Sequence, residues 1–237
     1  KALVETDGDI EKAIDILREK GLASAAKKAS RVAAEGVVAA YSDANAGALV
    51  EINCETDFVA KGEPFVNLAA KVVKTVVAAK PADVEALLAT KAVDSDKTVD
   101  EEVQEVFLAL RENMKVRRFA LVEGHTATYI HAGGTVGVIV AFDVDDATAA
   151  KAEFDAMGKN VAMQIAAMNP GYLDRAAVPA SVIEKEKEIL IAQMKEDPKM
   201  ANKPDAVLGK IVEGKIGKYY KENCLIEQQF VIDGDIT

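Results

Sequence analysis

Tryptophan is absent from this chain, and cysteine and histidine occur only twice each. Cys54 and Cys224 lie far apart, too few for a disulfide framework and without metal-ligand spacing. They fit a reducing compartment such as the cytosol. His125 and His131 are the only imidazoles, and no ligand cluster for a metal surrounds them. Nothing has the form G-x-x-x-x-G-K-[ST], so the chain is not expected to hold a nucleotide itself, and no cofactor is implied. No apolar run approaches the ~20 residues of a membrane span, and no signal peptide is visible. Basic residues are outnumbered, with 29 Lys and Arg against 39 Asp and Glu. A net charge of −10 argues against a direct nucleic-acid partner, which would need a basic footprint. It fits a protein that meets another protein's surface.

What is present is a chain of 237 residues, half of them hydrophobic, enough for one large domain or two modest ones. Asp9 is a candidate N-cap, and Ile10, Ala13, Ile14 and Leu17 recur at helical spacing until Gly21 stops them. The Ala- and Lys-rich residues 22–34 suit a short helix or connector. Gly36 to Tyr41 and Ala48 to Cys54 read as a hairpin around 42–47. Phe65 to Ala79 is amphipathic through Phe65, Leu68, Ala69, Val72 and Val76. Pro81-Ala82-Asp83 breaks it before a short helix to Thr90, and Asp100 to Asn113 reads as another helix.

The second half repeats this pattern. Lys115 to Glu123 and Val136 to Val144 are strand-like, and the following helix carries Phe154, Met157, Gly158, Val161 and Ile165 at the spacing of the first stripe. Pro81 and Pro170 each stand sixteen residues after Phe65 and Phe154, and Gly47 and Gly137 lie near corresponding strand starts. The expected fold class is α+β, with two related hairpin-plus-helix halves. Residues 181–222 interrupt the second half. Ile183, Leu190 and Met194 mark one helix, with the charged run 184–188 solvated. Lys195 to Pro204 makes a turn, and Leu208, Ile211, Val212, Ile216 and Tyr219 mark a returning helix. An antiparallel helical hairpin projecting from the core is expected, with a heptad pattern too short to argue a coiled coil by itself. The expected domains are a helical N-terminal remnant and connector over 1–34, core halves over 35–114 and 115–180, the hairpin over 181–222, and a return to the second half over 223–237.

Between the first hairpin and its helix runs Glu51-Ile52-Asn53-Cys54-Glu55-Thr56-Asp57-Phe58-Val59-Ala60-Lys61. It alternates like a half-buried strand and then enters an acidic loop carrying one large aromatic. Asn53, Thr56 and Asp57 can bond nearby backbone and hold a turn. By composition alone Phe58 folds back into its own core; on a rigid turn beside a carboxylate it also suits insertion into a partner. The second half has Asp143-Val144-Asp145-Asp146 instead, with no expected counterpart of the turn. Cys54 reads as a small core residue; a nucleophile paired with a histidine has no sequence context.

The segment from Glu51 to Lys61 resembles a signature of the bacterial elongation factor Ts family, nucleotide exchange factors of the GTPase elongation factor Tu. Gly8 to Gly21 resembles the third helix of that family's small N-terminal domain. Arg117-Arg118-Phe119-Ala120-Leu121-Val122-Glu123-Gly124 and Gln228-Gln229-Phe230-Val231 are similar to further segments, so the resemblance covers essentially the whole chain. It implies a family pattern with roughly one and a half more helices before Lys1, and a helix and closing strand after Thr237. It also implies a non-enzymatic, cytoplasmic factor that promotes GDP release from elongation factor Tu. Asp57 and Phe58 would intrude near the GTPase's magnesium site, with Thr56 and Val59 in the same turn. Leu110 and His131 match interface positions of the family; read without it, they are a helix-face leucine in the core and a solvated loop histidine. The alternative is a non-catalytic scaffold or chaperone-like protein that binds through the helical hairpin.

Overall fold

The computed structural model describes residues 2–28, 30–197, 200 and 203–235. It is a mixed α+β chain with two compact units, 1–163 and 164–237.

The first unit begins with helices α1 (Ala2–Glu5) and α2 (Ile10–Lys28). Asp9 caps α2, its carboxylate accepting the Lys12 N–H at 3.1 Å. Gly21 does not end the helix as its propensity predicts. An added Cβ there would lie 1.9 Å from Leu108 Cδ2. Close approach of a neighbouring helix thus outweighs the ~1 kcal/mol that glycine costs in a helix interior. Of the stripe Ile10, Ala13, Ile14 and Leu17, only Ala13 is buried.

Strands β1 (Glu35–Ser42) and β2 (Ala46–Cys54) form an antiparallel hairpin. The one-turn helix α3 (Asp57–Ala60) leads into α4 (Glu63–Ala79), whose buried Phe65, Leu68, Ala69, Val72, Val73 and Val76 share one core with Ala48, Val50, Ile52 and Cys54 of β2. Helices α5 (Val84–Ala89) and α6 (Val99–Leu110) add Leu87, Val99 and Val103 to that core. The helix α6 ends three residues before Asn113 because Arg111 adopts a left-handed conformation, φ 61°.

Strand β3 (Lys115–Glu123) pairs with β2, giving the sheet order β1-β2-β3. This differs from the expected second hairpin. The partner of β5 (Val136–Phe142) is β4 (His125–His131), a strand hidden from pattern reading by its threonines and histidines. All of its residues but His131 are half-buried, so no clean alternation marks it. The β2–β3 register slips at Glu51/Ile52, where a bulge lets Arg117 and Arg118 both reach Glu51, at 3.0 and 2.6 Å. Burial pushes the Glu51 carboxyl up, but hydrogen bonds from Arg118 and Arg117 outweigh it and leave it below its ordinary value.

After β5 come α7 (Asp146–Ala149) and α8 (Ala152–Met168). The order strand, strand, one-turn helix, long helix therefore occurs twice, and local bonding repeats with it. Both long helices end on a left-handed residue before proline, Lys80 at φ 47° and Asn169 at φ 45°. The stripe of α8 is only partly used: Phe154 is buried against Phe142, but Met157 is exposed.

In the second unit, α9 (Ala180–Glu196) packs on α10 (Asp205–Asn223). Ile183, Leu190, Met194, Val212 and Ile216 are buried between them, with Leu208, Ile211 and Tyr219 alongside. Of the expected turn from Lys195 to Pro204, residues 198, 199, 201 and 202 lie outside the described residues. Buried Gln164 ties the segment after α10 to the end of α8. Its amide donates to Gln228 Oε1 and Gln229 O, each at 3.2 Å, and its carbonyl accepts the Val231 N–H at 2.8 Å.

Candidate functional site

The turn after β2 is built from both of its ends. Cys54 ends the strand fully buried, and burial raises its thiol to about 11, which disfavours the thiolate a nucleophile requires. Its Sγ–H donates to Thr56 O at 3.2 Å. Thr56 is the N-cap of α3, accepting the Val59 N–H on its hydroxyl at 3.4 Å. On the far side Ala60 is buried and Val59 packs on the core, so the turn is nailed down by its third and fourth residues.

Phe58 points the other way. It is 86% exposed, which overturns the composition-based reading of a core phenylalanine. A helix turn forces the separation: Ala60 and Val59 take the inward face, and Phe58 is left on the outward one. Asp57 is exposed and paired with Lys61 at 2.8 Å, one helical turn on. That hydrogen bond holds the Asp57 carboxyl below its ordinary range.

Residues distant in sequence clamp this turn. Glu112 Oε2 accepts the Thr56 N–H at 3.0 Å and Oε1 accepts the Thr56 hydroxyl at 2.6 Å. Next to it, Glu55 Oε1 accepts the Asn113 N–H at 2.7 Å, and Arg31 approaches Glu55 at 3.4 Å. The Asn113 amide donates to Arg31 O at 2.8 Å, so the connector after α2 meets the same point. No sequence pattern announced Glu55, Glu112 or Asn113, because their partners are 56 to 58 residues away.

The Asn113 amide, and then Arg31, lower the Glu55 carboxyl below its ordinary value. A carboxylate lowered on folding contributes stability that is present above its unfolded pKa, ~4.3, and is lost as pH falls through the folded value. Acidification below about pH 4 should therefore release this clamp. The exchange protection of the Asn113 amide, measured by NMR relative to the unfolded chain at the same pH, should fall there before that of the sheet amides; a protection that persists until global unfolding contradicts this.

The counterpart turn, expected to be missing, exists in backbone, but it lacks the aromatic and has no buried residue. Asp145 caps α7 as Thr56 caps α3, and the Ala150 N–H reaches Asp146 O and Thr148 O as the Lys61 N–H reaches Asp57 O and Val59 O. Phe58 then corresponds to Ala147, and Val59 to Thr148. The shared local bonding belongs to the repeated fold, and the exposed ring is the part added to one copy.

Thr56, Asp57, Phe58 and Val59 thus stand together, and Leu110 lies two residues before the Glu112 clamp. The Leu110 side chain packs against the core, so it offers at most a partial face to a partner. His131 is exposed at the end of β4, with its Nδ1 3.1 Å from the Tyr129 hydroxyl, and it belongs to a different hairpin from the turn. Among the described residues there is no group of three or more His, Cys, Asp or Glu side chains suited to a metal. No helix there is long and apolar enough to cross a membrane.

The chain is thus an α+β protein whose one-turn helix holds an aromatic facing outward. A family model described as Elongation factor TS matches residues 55–237. Elongation factor Ts of Syntrophotalea carbinolica is 47% identical over 243 residues, covering 100% of this chain and 77% of the relative. Elongation factor Ts of Clostridium perfringens is 48% identical over 240 residues, covering 99% and 77%. That of Clostridium botulinum is 46% identical over 243 residues. The chain belongs to the elongation factor Ts family, and is thereby a translation elongation factor.

Proposed function

We propose that the chain is a guanine nucleotide exchange factor for elongation factor Tu and that the Phe58 turn carries the exchange step. The observation that carries this reading is the 86% exposure of Phe58 on a turn whose own backbone is fixed by Glu112 and by buried Ala60. An unpaired ring on a rigid support loses little freedom on insertion and gains its full burial there. It would wedge between side chains near the GTPase's magnesium ion and displace the elements that hold it. Loss of that cation unbalances the phosphate charge, and GDP leaves faster.

No covalent chemistry is required, and the factor acts without being an enzyme in the bond-making sense. It must bind the nucleotide-free GTPase more tightly than the GDP form; by linkage, GDP weakens the factor's binding by the same ratio. A thousandfold ratio corresponds to about 4 kcal/mol. Two further surfaces fit contacts with the GTPase. One is the exposed stripe of Ile10, Ile14 and Leu17 on α2, and the other is His131 in the second half, with Leu110 bordering the turn. We assign the α9–α10 pair to a helical hairpin of its own, and the remaining segments to the N-terminal domain and the two core halves.

The test is stopped-flow release of a fluorescent GDP analogue from elongation factor Tu with increasing amounts of this chain. Release should accelerate and saturate. A stable complex with unchanged release would instead indicate a scaffold.

A further inference from the structure

The helix α3 has little of its own to hold it. Its backbone contributes two full-turn bonds, Ala60 N–H to Thr56 O and Lys61 N–H to Asp57 O, both at 3.1 Å, and one tighter bond, Gly62 N–H to Val59 O at 2.9 Å. That is below what a helix needs to persist alone. Its largest apolar side chain, Phe58, faces solvent and adds no packing.

Threonine-capped helices commonly solve this locally. At Thr98 the residue three positions on is Glu101, whose carboxylate accepts the Thr98 N–H at 2.8 Å while the Thr98 hydroxyl accepts the Glu101 N–H. In α3 the matching position is Val59, which has no side-chain acceptor. Glu112 takes that place from 56 residues further along the chain, accepting both the amide and the hydroxyl of Thr56. With its proton committed to Glu112, the Thr56 hydroxyl turns a lone pair to the Val59 N–H. One carboxylate thereby sets the rotamer of the cap and the start of the turn.

We propose that Glu112 is a positioning residue for nucleotide exchange, completing the capping box of the Phe58 turn from the α6–β3 junction and fixing the direction in which the ring is presented. This rests on the exchange function proposed above. Glu112 lies outside the core, on which Val59 and Ala60 pack. Its removal therefore loosens the turn and not the fold. A loosened ring still meets the GTPase through the other surfaces, but less of the complex reaches the wedged state. The loss appears in the maximal release rate and not in half-saturation.

The experiment compares Glu112→Ala, Glu112→Gln, Thr56→Val and Thr56→Ser by GDP release from elongation factor Tu and by melting temperature. A parallel set carries Phe58→Trp, which introduces a single tryptophan into a chain that has none, and its fluorescence anisotropy reports motion of the turn. Glu112→Ala should lower the maximal rate roughly tenfold, the size of one charge-assisted bond. Half-saturation should stay within about twofold, and the anisotropy of the introduced indole should drop. Glu112→Gln, which keeps one acceptor, should fall between, and Thr56→Ser should restore what Thr56→Val loses. A wild-type rate and an unchanged anisotropy in Glu112→Ala would overturn the proposal. So would a lowered melting temperature with a normal rate per folded molecule. If the unsubstituted chain itself fails to accelerate release, the exchange function falls, and the anisotropy still reports separately whether Glu112 pins the turn.

Discussion

Phe58→Ala should slow stimulated GDP release by about a hundredfold, in the range of a hot-spot aromatic at an interface. It should leave the fold almost untouched. The ring is 86% exposed and appears in neither buried cluster, so truncation removes no core contact. Surface changes of this kind alter stability by about 0.5 kcal/mol at most. For a chain of this size that shifts the melting temperature by about 1–2 °C. Asp57→Ala breaks the exposed pair with Lys61, a contact of small value, and should also leave stability unchanged while exchanging less well than the unsubstituted chain. Of the two, Phe58 should be the more damaging loss. Stopped-flow release and thermal melting on the same preparations decide the matter. Near-normal exchange per folded molecule in Phe58→Ala, with a large drop in melting temperature, would refute the wedge. The repeat supplies a control: moving the ring, as Phe58→Ala with Ala147→Phe, keeps the aromatic count but should not restore exchange. Ala147 sits on a turn with the same local bonding in a different place.

The parts of this chain that could be read from sequence are those governed by short-range rules. The stripe of α4 was legible because its buried residues sit on the sheet side of a strongly amphipathic helix. Asp9 acts within three residues of itself, and its cap follows from local pattern. What escaped pattern reading depends on distant partners. Gly21 signals a helix stop unless Leu108 is known to press against it. The strand β4 has no alternation to betray it, and β3 resembles a hairpin partner of β5 until the register places it beside β2. The candidate site divides in the same way. The sequence resemblance drew attention to Thr56, Asp57, Phe58 and Val59. Which of them face outward depends on the single turn of α3, and what steadies them depends on Glu112. Composition placed Phe58 inside because phenylalanine is usually buried. The structure reserves that role for Phe65, fully buried in the first turn of α4 after Gly62.

Phe65→Ala should accordingly give the opposite result to Phe58→Ala. Phe65 is 0% exposed and, among the described residues, one of the largest fully buried side chains, in one cluster with Ile52, Val50 and Leu87. Removing a buried ring loses its transfer free energy and leaves a cavity that a close-packed core fills only in part, at a cost of about 3–5 kcal/mol. That loss lowers the unfolding midpoint of the first unit by roughly 6–20 °C. Phe65→Leu keeps most of the volume and should recover much of the difference. Under conditions where the variant remains folded, its GDP-release rate per folded molecule should stay close to that of the unsubstituted chain, because the Glu112 clamp is made through Thr56 and does not involve the ring. Denaturant titration gives the stability, and stopped-flow release corrected for the folded fraction gives the activity. A normal melting curve for Phe65→Ala would contradict its place in the core. A hundredfold loss of exchange in fully folded Phe65→Ala would show that the position of the turn is set from α4 as well as from Glu112.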